Sequence, residues 1–151
     1  AGAEKLGEIV GKGSQAGGRL KSKFMKGVPA LAKLIEKVQR LATKGYVPAI
    51  DGRKIHVRSE HSALNMLLQS CGAIVAKQWI VETHRLMREN GIKFKQVAVV
   101  HDEIQASVPH SQAEKAGELM VEAAKIAGEK LGFRLPVDAE YSVGKNWSET
   151  H

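Results

Sequence analysis

The stretch KFKQVAVVHDEIQASVPH constrains the fold of this chain more than any other part of its sequence. Residues 94–100 are mostly apolar and β-branched, and residues 104–108 alternate between apolar and polar, so both segments are predicted to be strands. His101, Asp102 and Glu103 alone separate them. A connection this short joins antiparallel neighbours. The sequence therefore predicts a hairpin whose tight turn holds two adjacent acids and a histidine outside the sheet.

The adjacent carboxylates Asp102 and Glu103 have two interpretations. Like charges this close repel each other, which favours a bound cation. Oxygen ligands on a rigid turn suit Mg²⁺, which binds through one or two carboxylates together with substrate phosphates. The alternative is an ordinary polar hairpin tip, because Asp is favoured by turn chemistry. These residues by themselves leave both interpretations open.

The remaining patterns predict an α+β fold with an antiparallel sheet backed by long helices. A second hairpin is predicted around Asp51-Gly52, a dipeptide suited to a primed turn. The predicted helices cover residues 4–11, 14–26, 29–45, 61–89 and 110–131, and a last strand covers residues 136–143.

Single residues refine this outline. Gly45 is predicted to close the third helix, and Ser59 is predicted to cap the start of the long fourth helix. Much of the circumference of that fourth helix is apolar, so it is expected to be the buried spine of the domain. Trp79 and Trp147 have apolar surroundings in the sequence and are predicted to be core residues.

His61, Asn65 and Gln69 form a second candidate group, because a spacing of four residues places them close to one stripe of a helix. Side chains of this kind can donate and accept hydrogen bonds. Such a row could contact the acceptors of a DNA minor groove without distinguishing sequence. The alternative is that these groups cap the helix or bond to a neighbouring loop. Spacing alone favours that alternative.

Positive charge is concentrated in the first part of the chain. Residues 1–58 contain 13 Lys and Arg against four Asp and Glu, whereas residues 59–151 contain ten against 12. A basic region on a nearly neutral body is typical of a surface that binds a polyanion. A solvated helical surface is an equally good interpretation of the charge alone.

Several classes of protein are excluded by composition and spacing. The single cysteine, Cys71, rules out an internal disulfide and suits a reducing compartment. No apolar run reaches the roughly 18 residues of a membrane span, and the first residues have no signal-peptide pattern. The six histidines and one cysteine lack zinc-site spacing.

Three stretches together carry a family resemblance: DGRKIHVRSEHSALNMLLQSCGAIVAKQWI, VAVVHDEIQASV and the closing GKNW. They resemble the C-terminal part of family A DNA polymerases, and most of all the replicative polymerases of T-odd bacteriophages. The resemblance covers nearly the whole chain. The helix pattern H-A-L-N-x-L-L-Q followed downstream by V-H-D-E-I is specific as a combination, although neither half would be specific alone.

The resemblance implies a role for each residue of the first hairpin turn. Asp102 matches the aspartate that binds the two catalytic Mg²⁺ ions of nucleotidyl transfer, and Glu103 matches the neighbouring acid that supports this metal site. His101 matches a histidine that approaches the primer terminus. The implied partners are primer-template DNA and an incoming dNTP.

The resemblance also implies DNA contacts in and before the long helix. Asn65 and Gln69 match residues that contact the minor groove near the primer end, and His61 matches a contact found in the phage branch. Arg58 matches an arginine that contacts a phosphate or the template.

The resemblance divides the chain into an outer fingers segment of helices, residues 1–45, and the C-terminal part of the palm, residues 46–151. The family also uses a second metal-binding aspartate and a nucleotide-holding fingers helix, which lie upstream of the first residue here. We therefore expect an excised fragment or a subunit that is inactive alone and needs the upstream portion of the polymerase. The expected location is the cytoplasm of a bacterial host.

Two other functions are compatible with the sequence. The first is a DNA-binding domain that keeps the palm fold without catalysis. The second, weaker alternative is a small metal-dependent nuclease, for which Asp138 and Glu140 would be the additional carboxylates. The intact pair Asp102 and Glu103 favours the polymerase, because a decayed site has little reason to keep two repelling acids.

Overall fold

The computed structural model describes residues 2–150 and has the predicted α+β composition, with helices and two small two-stranded sheets. The chain divides into two compact units. The first contains the residues up to Val47 together with Lys54–Leu67, and the second contains Pro48–Arg53 together with the residues from Leu68 onward.

Three helices open the first unit: α1 (Ala3–Ile9), α2 (Ser14–Gly27) and α3 (Pro29–Ala42). Glycine lets α1 and α2 approach backbone to backbone. A side chain at Gly17 would place its Cβ 1.9 Å from the carbonyl oxygen of Ala3. Gly17, within α2, is therefore required for this packing.

The predicted hairpin around Asp51-Gly52 is present as β1 (Tyr46–Pro48) and β2 (Lys54–His56), with Gly52 at a φ of 84°. Gly45, after α3, also has the positive φ expected of a residue that closes a helix. The core of the first unit consists of buried Val38, Ala42, Val47 and Ala63, against which Leu41, Ile55, Val57, Leu64 and Leu67 pack.

The long helix α4 (Ala63–Glu89) begins two residues later than predicted, because the chain first makes a 3₁₀ turn over Glu60–Ser62. The side chain of Ser59 does not cap this turn; its carbonyl oxygen accepts the Ser62 backbone N–H at 3.0 Å and the hydroxyl at 2.8 Å. The helix is also not buried on all sides, since Leu68 is 57% exposed.

The core of the second unit forms where α4 packs on α5 (Ala113–Lys130). Leu86 and Met87 of α4 contact small and medium residues of α5, namely Ala116, Leu119 and Ala123. Trp79 packs against this cluster as predicted, and its indole N–H donates to the carbonyl oxygen of Met120 at 2.7 Å. A 3₁₀ turn over His110–Gln112 precedes α5.

A buried carboxylate, Glu82, links the two helices of this core. Its side chain is 1% exposed and accepts hydrogen bonds from Lys130 at 2.6 Å, Arg85 at 2.9 Å and Gln78 at 2.7 Å. The hydrogen bond from Lys130 is the main cause that lowers the pKa of Glu82, and it outweighs the opposite effect of burial.

The second sheet pairs β3 (Lys95–Val100) antiparallel with β4 (Glu103–Ser107), which confirms the predicted hairpin. Val100 lies opposite Glu103, and Val99 lies opposite Ile104. The register shifts between Gln96 and Ala98, which is a β-bulge.

The prediction of a last strand over residues 136–143 is wrong. Residues 136–143 form no strand, and they lie along α5 instead. Val137 packs where Gly128 has no side chain, and the ring of Tyr141 packs where Gly117 has none. Alternating apolar residues suit any extended segment with one buried side, so the pattern alone did not distinguish a strand from a segment packed on a helix.

No helix within residues 2–150 is both long enough and apolar enough to cross a membrane.

We expect Gly117→Ala to destabilise the second unit by about 1–3 kcal/mol, because a new Cβ would lie 2.2 Å from Cδ2 of Tyr141. Gly72→Ala is the matched control, since its Cβ would meet nothing within 4 Å in the middle of α4. That control should stabilise the chain by about 0.5–1 kcal/mol. Urea unfolding of both variants measures the difference, and equal effects would contradict the packing described for Tyr141.

We expect Glu82→Gln to lower the free energy of unfolding by about 2 kcal/mol at neutral pH. The loss is no larger because Lys130 and Arg85 are 52% and 38% exposed, so solvent screens their attraction to Glu82. The pKa of Glu82 is lower in the folded chain than its ordinary value of 4.5. Its stabilising contribution to the folded state is therefore fully present above pH 4.5. The contribution is lost as the pH falls through the folded pKa. Denaturant unfolding from pH 7 to pH 3 should show a smaller loss of stability in the variant.

Glu89→Gln is the control for this series, because Glu89 is 53% exposed and, among residues 2–150, bonds only to the same Arg85. It should change stability by no more than about 0.5 kcal/mol. If both variants respond identically to pH, the buried carboxylate is not the source of the acid sensitivity.

Candidate active site

The turn between β3 and β4 consists of two residues, His101 and Asp102. Both are exposed, and Val100 pairs with Glu103 directly beneath them. Glu103 is half-buried and is the first residue of β4, so only two of the three polar residues belong to the turn. The hairpin thus places Asp102 and Glu103 at consecutive positions at the end of a short pair of hydrogen-bonded strands.

His101 has a φ of 54° and is the only non-glycine residue with positive φ in the part of the chain that the structure describes. A two-residue hairpin with positive φ at its first central position usually has glycine there. A side chain in this conformation costs roughly 1–2 kcal/mol. Backbone strain of this kind is concentrated at functional sites. The imidazole is therefore retained at a position where glycine would be more stable.

Two side chains that the sequence analysis did not assign to the site donate hydrogen bonds to the carboxylate of Glu103. Its Oε1 accepts hydrogen bonds from Nε2 of Gln105 and from Nε1 of Trp147, the latter at 3.0 Å. The first contact could be expected from the sequence, because Gln105 is two residues after Glu103 and so lies on the same face of the strand. The second contact joins residues 44 apart and has no sequence signal. Trp147 is 48% exposed, so its prediction as a core residue is wrong.

Asp102 and Glu103 provide only part of a metal site. Within residues 2–150, no three His, Cys, Asp or Glu side chains are grouped so that they could hold a metal ion. Asp138, considered for a nuclease, lies 3.5 Å from Nζ of Lys125 and accepts the backbone N–H of Ala139. The carboxylates of Asp102 and Glu103 offer oxygen atoms as ligands, which fits Mg²⁺ completed by ligands from elsewhere.

Asn65 and Gln69 are both exposed on α4, four residues apart. The part of the chain that the structure describes contains no hydrogen bond to either side chain, which argues against the interpretation that they bond to a neighbouring loop. His61 is also exposed, but it belongs to the 3₁₀ turn before α4. Asn65 and Gln69 thus share the α-helical spacing, and His61 precedes them in the 3₁₀ turn.

Arg58 and His61 share an open pocket of about 510 Å³ in the first unit. The pocket lies where the end of α3, the strand β2 and the 3₁₀ turn meet. Its lining is mostly polar and consists of Ala42, Thr43, Gly45, Val57, Arg58, Ser59, Glu60 and His61.

Comparison of this chain with known proteins points to one family. The family profile of DNA polymerase family A matches residues 1–149. The DNA-directed DNA polymerases of Enterobacteria phage T3 and Escherichia phage T7 are 39% and 38% identical to the chain over its full length. The chain spans 25% of each of these relatives.

A DNA polymerase I from Aquifex aeolicus is 27% identical over 86% of the chain and 23% of its own length. A solved structure has the same fold: the POL domain of Pol1 from M. smegmatis, in complex with DNA primer-template and dNTP. It matches 91% of this chain and 25% of its own, with a TM-score of 0.75 at 18% identity. On the match of the family profile to nearly every residue, together with the phage relatives, this chain belongs to DNA polymerase family A.

Proposed function

We propose that the chain is part of a template-directed DNA polymerase that transfers nucleotides from dNTPs to a primer 3′ end by a two-metal mechanism. The observation that carries this proposal is the turn, where Asp102 and Glu103 are consecutive residues at the end of a paired hairpin and His101 has a positive φ. Family membership, and the DNA and dNTP named for the M. smegmatis structure, support the same reaction.

Asp102 and Glu103 would hold Mg²⁺ in this reaction. Bound Mg²⁺ supplies charge stabilisation for the attacking and leaving oxygens of an in-line displacement. The exposed carboxylate of Asp102 is the better placed of the two to bind directly. Glu103 is half-buried and hydrogen-bonded, so its carboxylate would be held in a defined orientation beside the site.

Residues outside the carboxylate pair would position the DNA. His101 projects from the same turn and would contact the primer terminus. Asn65 and Gln69 are exposed and available for minor-groove acceptors, as their amide groups can both donate and accept. His61 and Arg58 line the pocket of the first unit and would contact the template or a phosphate.

We further propose that residues 1–45 form the outer fingers and residues 46–151 part of the palm, and that the remaining portion of the polymerase completes the site. The chain covers a quarter of its phage relatives, and the described residues provide only two carboxylates at the turn. The chain alone would then be inactive. Its phage relatives suggest the bacterial host cytoplasm as the place of action.

Primer extension with Mg²⁺ tests this function. The chain alone should not extend a primer, whereas a mixture with the remaining polymerase portion should. Asp102→Asn should lower the rate of the mixture by roughly 10³-fold, because the negative oxygen ligand is lost. Asp138→Asn is the matched control, since that exposed carboxylate of the same unit pairs with Lys125 and should leave the rate unchanged.

Synthesis by the chain alone would contradict the proposal that the site is incomplete. No synthesis in the mixture, with DNA binding that is insensitive to Asp102→Asn, would instead favour a DNA-binding domain without catalysis.

His101→Gly should make the chain more stable and the completed polymerase slower. Glycine tolerates the positive φ, which should stabilise the folded chain by roughly 1–2 kcal/mol. The unfolded chain is also more flexible with glycine, which should reduce this gain by roughly 0.5–1 kcal/mol. A net gain of about 0.5–1 kcal/mol should appear in urea unfolding. His101→Ala is the control that removes the imidazole but keeps the strain, so its stability should stay close to that of the unmodified chain. Equal stability of the two variants would show that the turn is unstrained.

A further inference from the structure

The last residues of the chain form a compact tail, residues 144–150, built around one carboxylate. Glu149 accepts the backbone N–H of Lys145 at 2.8 Å and the side-chain amide of Asn146 at 2.9 Å. A side chain on Gly144 would place its Cβ 2.7 Å from the Cβ of Glu149, so the tail closes tightly on itself. A 3₁₀ turn over Trp147–Glu149 results.

This tail contacts β4 through two polar groups. The indole N–H of Trp147 donates to Oε1 of Glu103 at 3.0 Å, and the hydroxyl of Thr150 donates to Oε1 of Gln105 at 3.3 Å. Gln105 in turn donates through its amide to the same oxygen of Glu103. Because Glu103 and Gln105 are two residues apart, they lie on one face of the strand, and the tail binds that face.

We infer that Trp147 and Gln105 are positioning residues for the Glu103 carboxylate, and that the C-terminal tail is a working part of the metal site. This inference rests on the proposed function. Two donors on one carboxylate oxygen restrict rotation of the group. Groups that orient metal ligands in this way typically change metal affinity or activity by 10–100-fold when they are removed.

The position of Trp147 supports a role in orientation rather than in packing. A tryptophan that is 48% exposed contributes less to a core than a buried one does. Its indole N–H reaches a carboxylate beside Asp102, within the second unit. A tail that only anchored the end of the chain would have no need of this particular acceptor.

The test compares Trp147→Phe, which keeps an aromatic ring and removes the N–H, with the unmodified chain. We expect Mn²⁺ to bind the completed polymerase that carries this variant about tenfold more weakly, as measured by electron paramagnetic resonance of free Mn²⁺. In the completed polymerase, kcat for primer extension should fall about tenfold while KM for the primer-template stays constant.

Trp79→Phe is the matched control, because it removes an indole hydrogen bond of 2.7 Å from the core of the same unit without contacting Glu103. It should lower stability but leave Mn²⁺ affinity and kcat of the folded protein unchanged. Gln105→Leu removes the other donor to the same oxygen and should act in the same direction as Trp147→Phe, even if the latter folds poorly.

Unchanged Mn²⁺ affinity and kcat in both Trp147→Phe and Gln105→Leu, with only a loss of stability, would overturn the inference and leave the tail as a structural clip. If the completed unmodified polymerase makes no DNA, the proposed function fails, and the Mn²⁺ affinities of the same mixtures still decide the role of Trp147.

Discussion

The packing of small residues on α5 is the constraint on which the second unit depends. Ala116 and Ala123 let α5 lie against Leu86 and Met87 of α4. Elsewhere along α5, glycines at two positions admit the segment that contains Val137 and Tyr141, which a side chain of any size would displace. The last part of the chain is therefore held along α5 before it reaches β4. The contact between Trp147 and Glu103 is a consequence of that path.

Stability and chemistry are located in different parts of the same unit. The helix pair contains the apolar core and the buried carboxylate Glu82, whose charge is compensated by Lys130, Arg85 and Gln78. The hairpin carries repelling acids and a histidine with positive φ, which are unfavourable for folding. A well-packed support is what allows a protein to maintain such a turn, because the cost of strain is small against the total gain from burial.

Much of the architecture could be predicted because it depends on local signals. The periodicity of α3, the turn residues around Gly52 and the strands flanking His101 are determined by neighbours in sequence. The errors occur where partners are distant. Residues 136–143 alternate like a strand but find the glycine positions of α5 instead of a strand to pair with. Ser59 has the chemistry of a cap, yet the chain makes a 3₁₀ turn there and the hydroxyl is not used.

The sequence by itself determined the chemistry that is available: the order of His101, Asp102 and Glu103 between two strands, the family resemblance, and the spacing of the amides of Asn65 and Gln69. Only the tertiary structure decided the conformation of His101 and the support of Glu103. A backbone φ depends on the register in which two strands close. The hydrogen bond from Trp147 joins residues that are 44 positions apart, and no local preference encodes a contact of that separation.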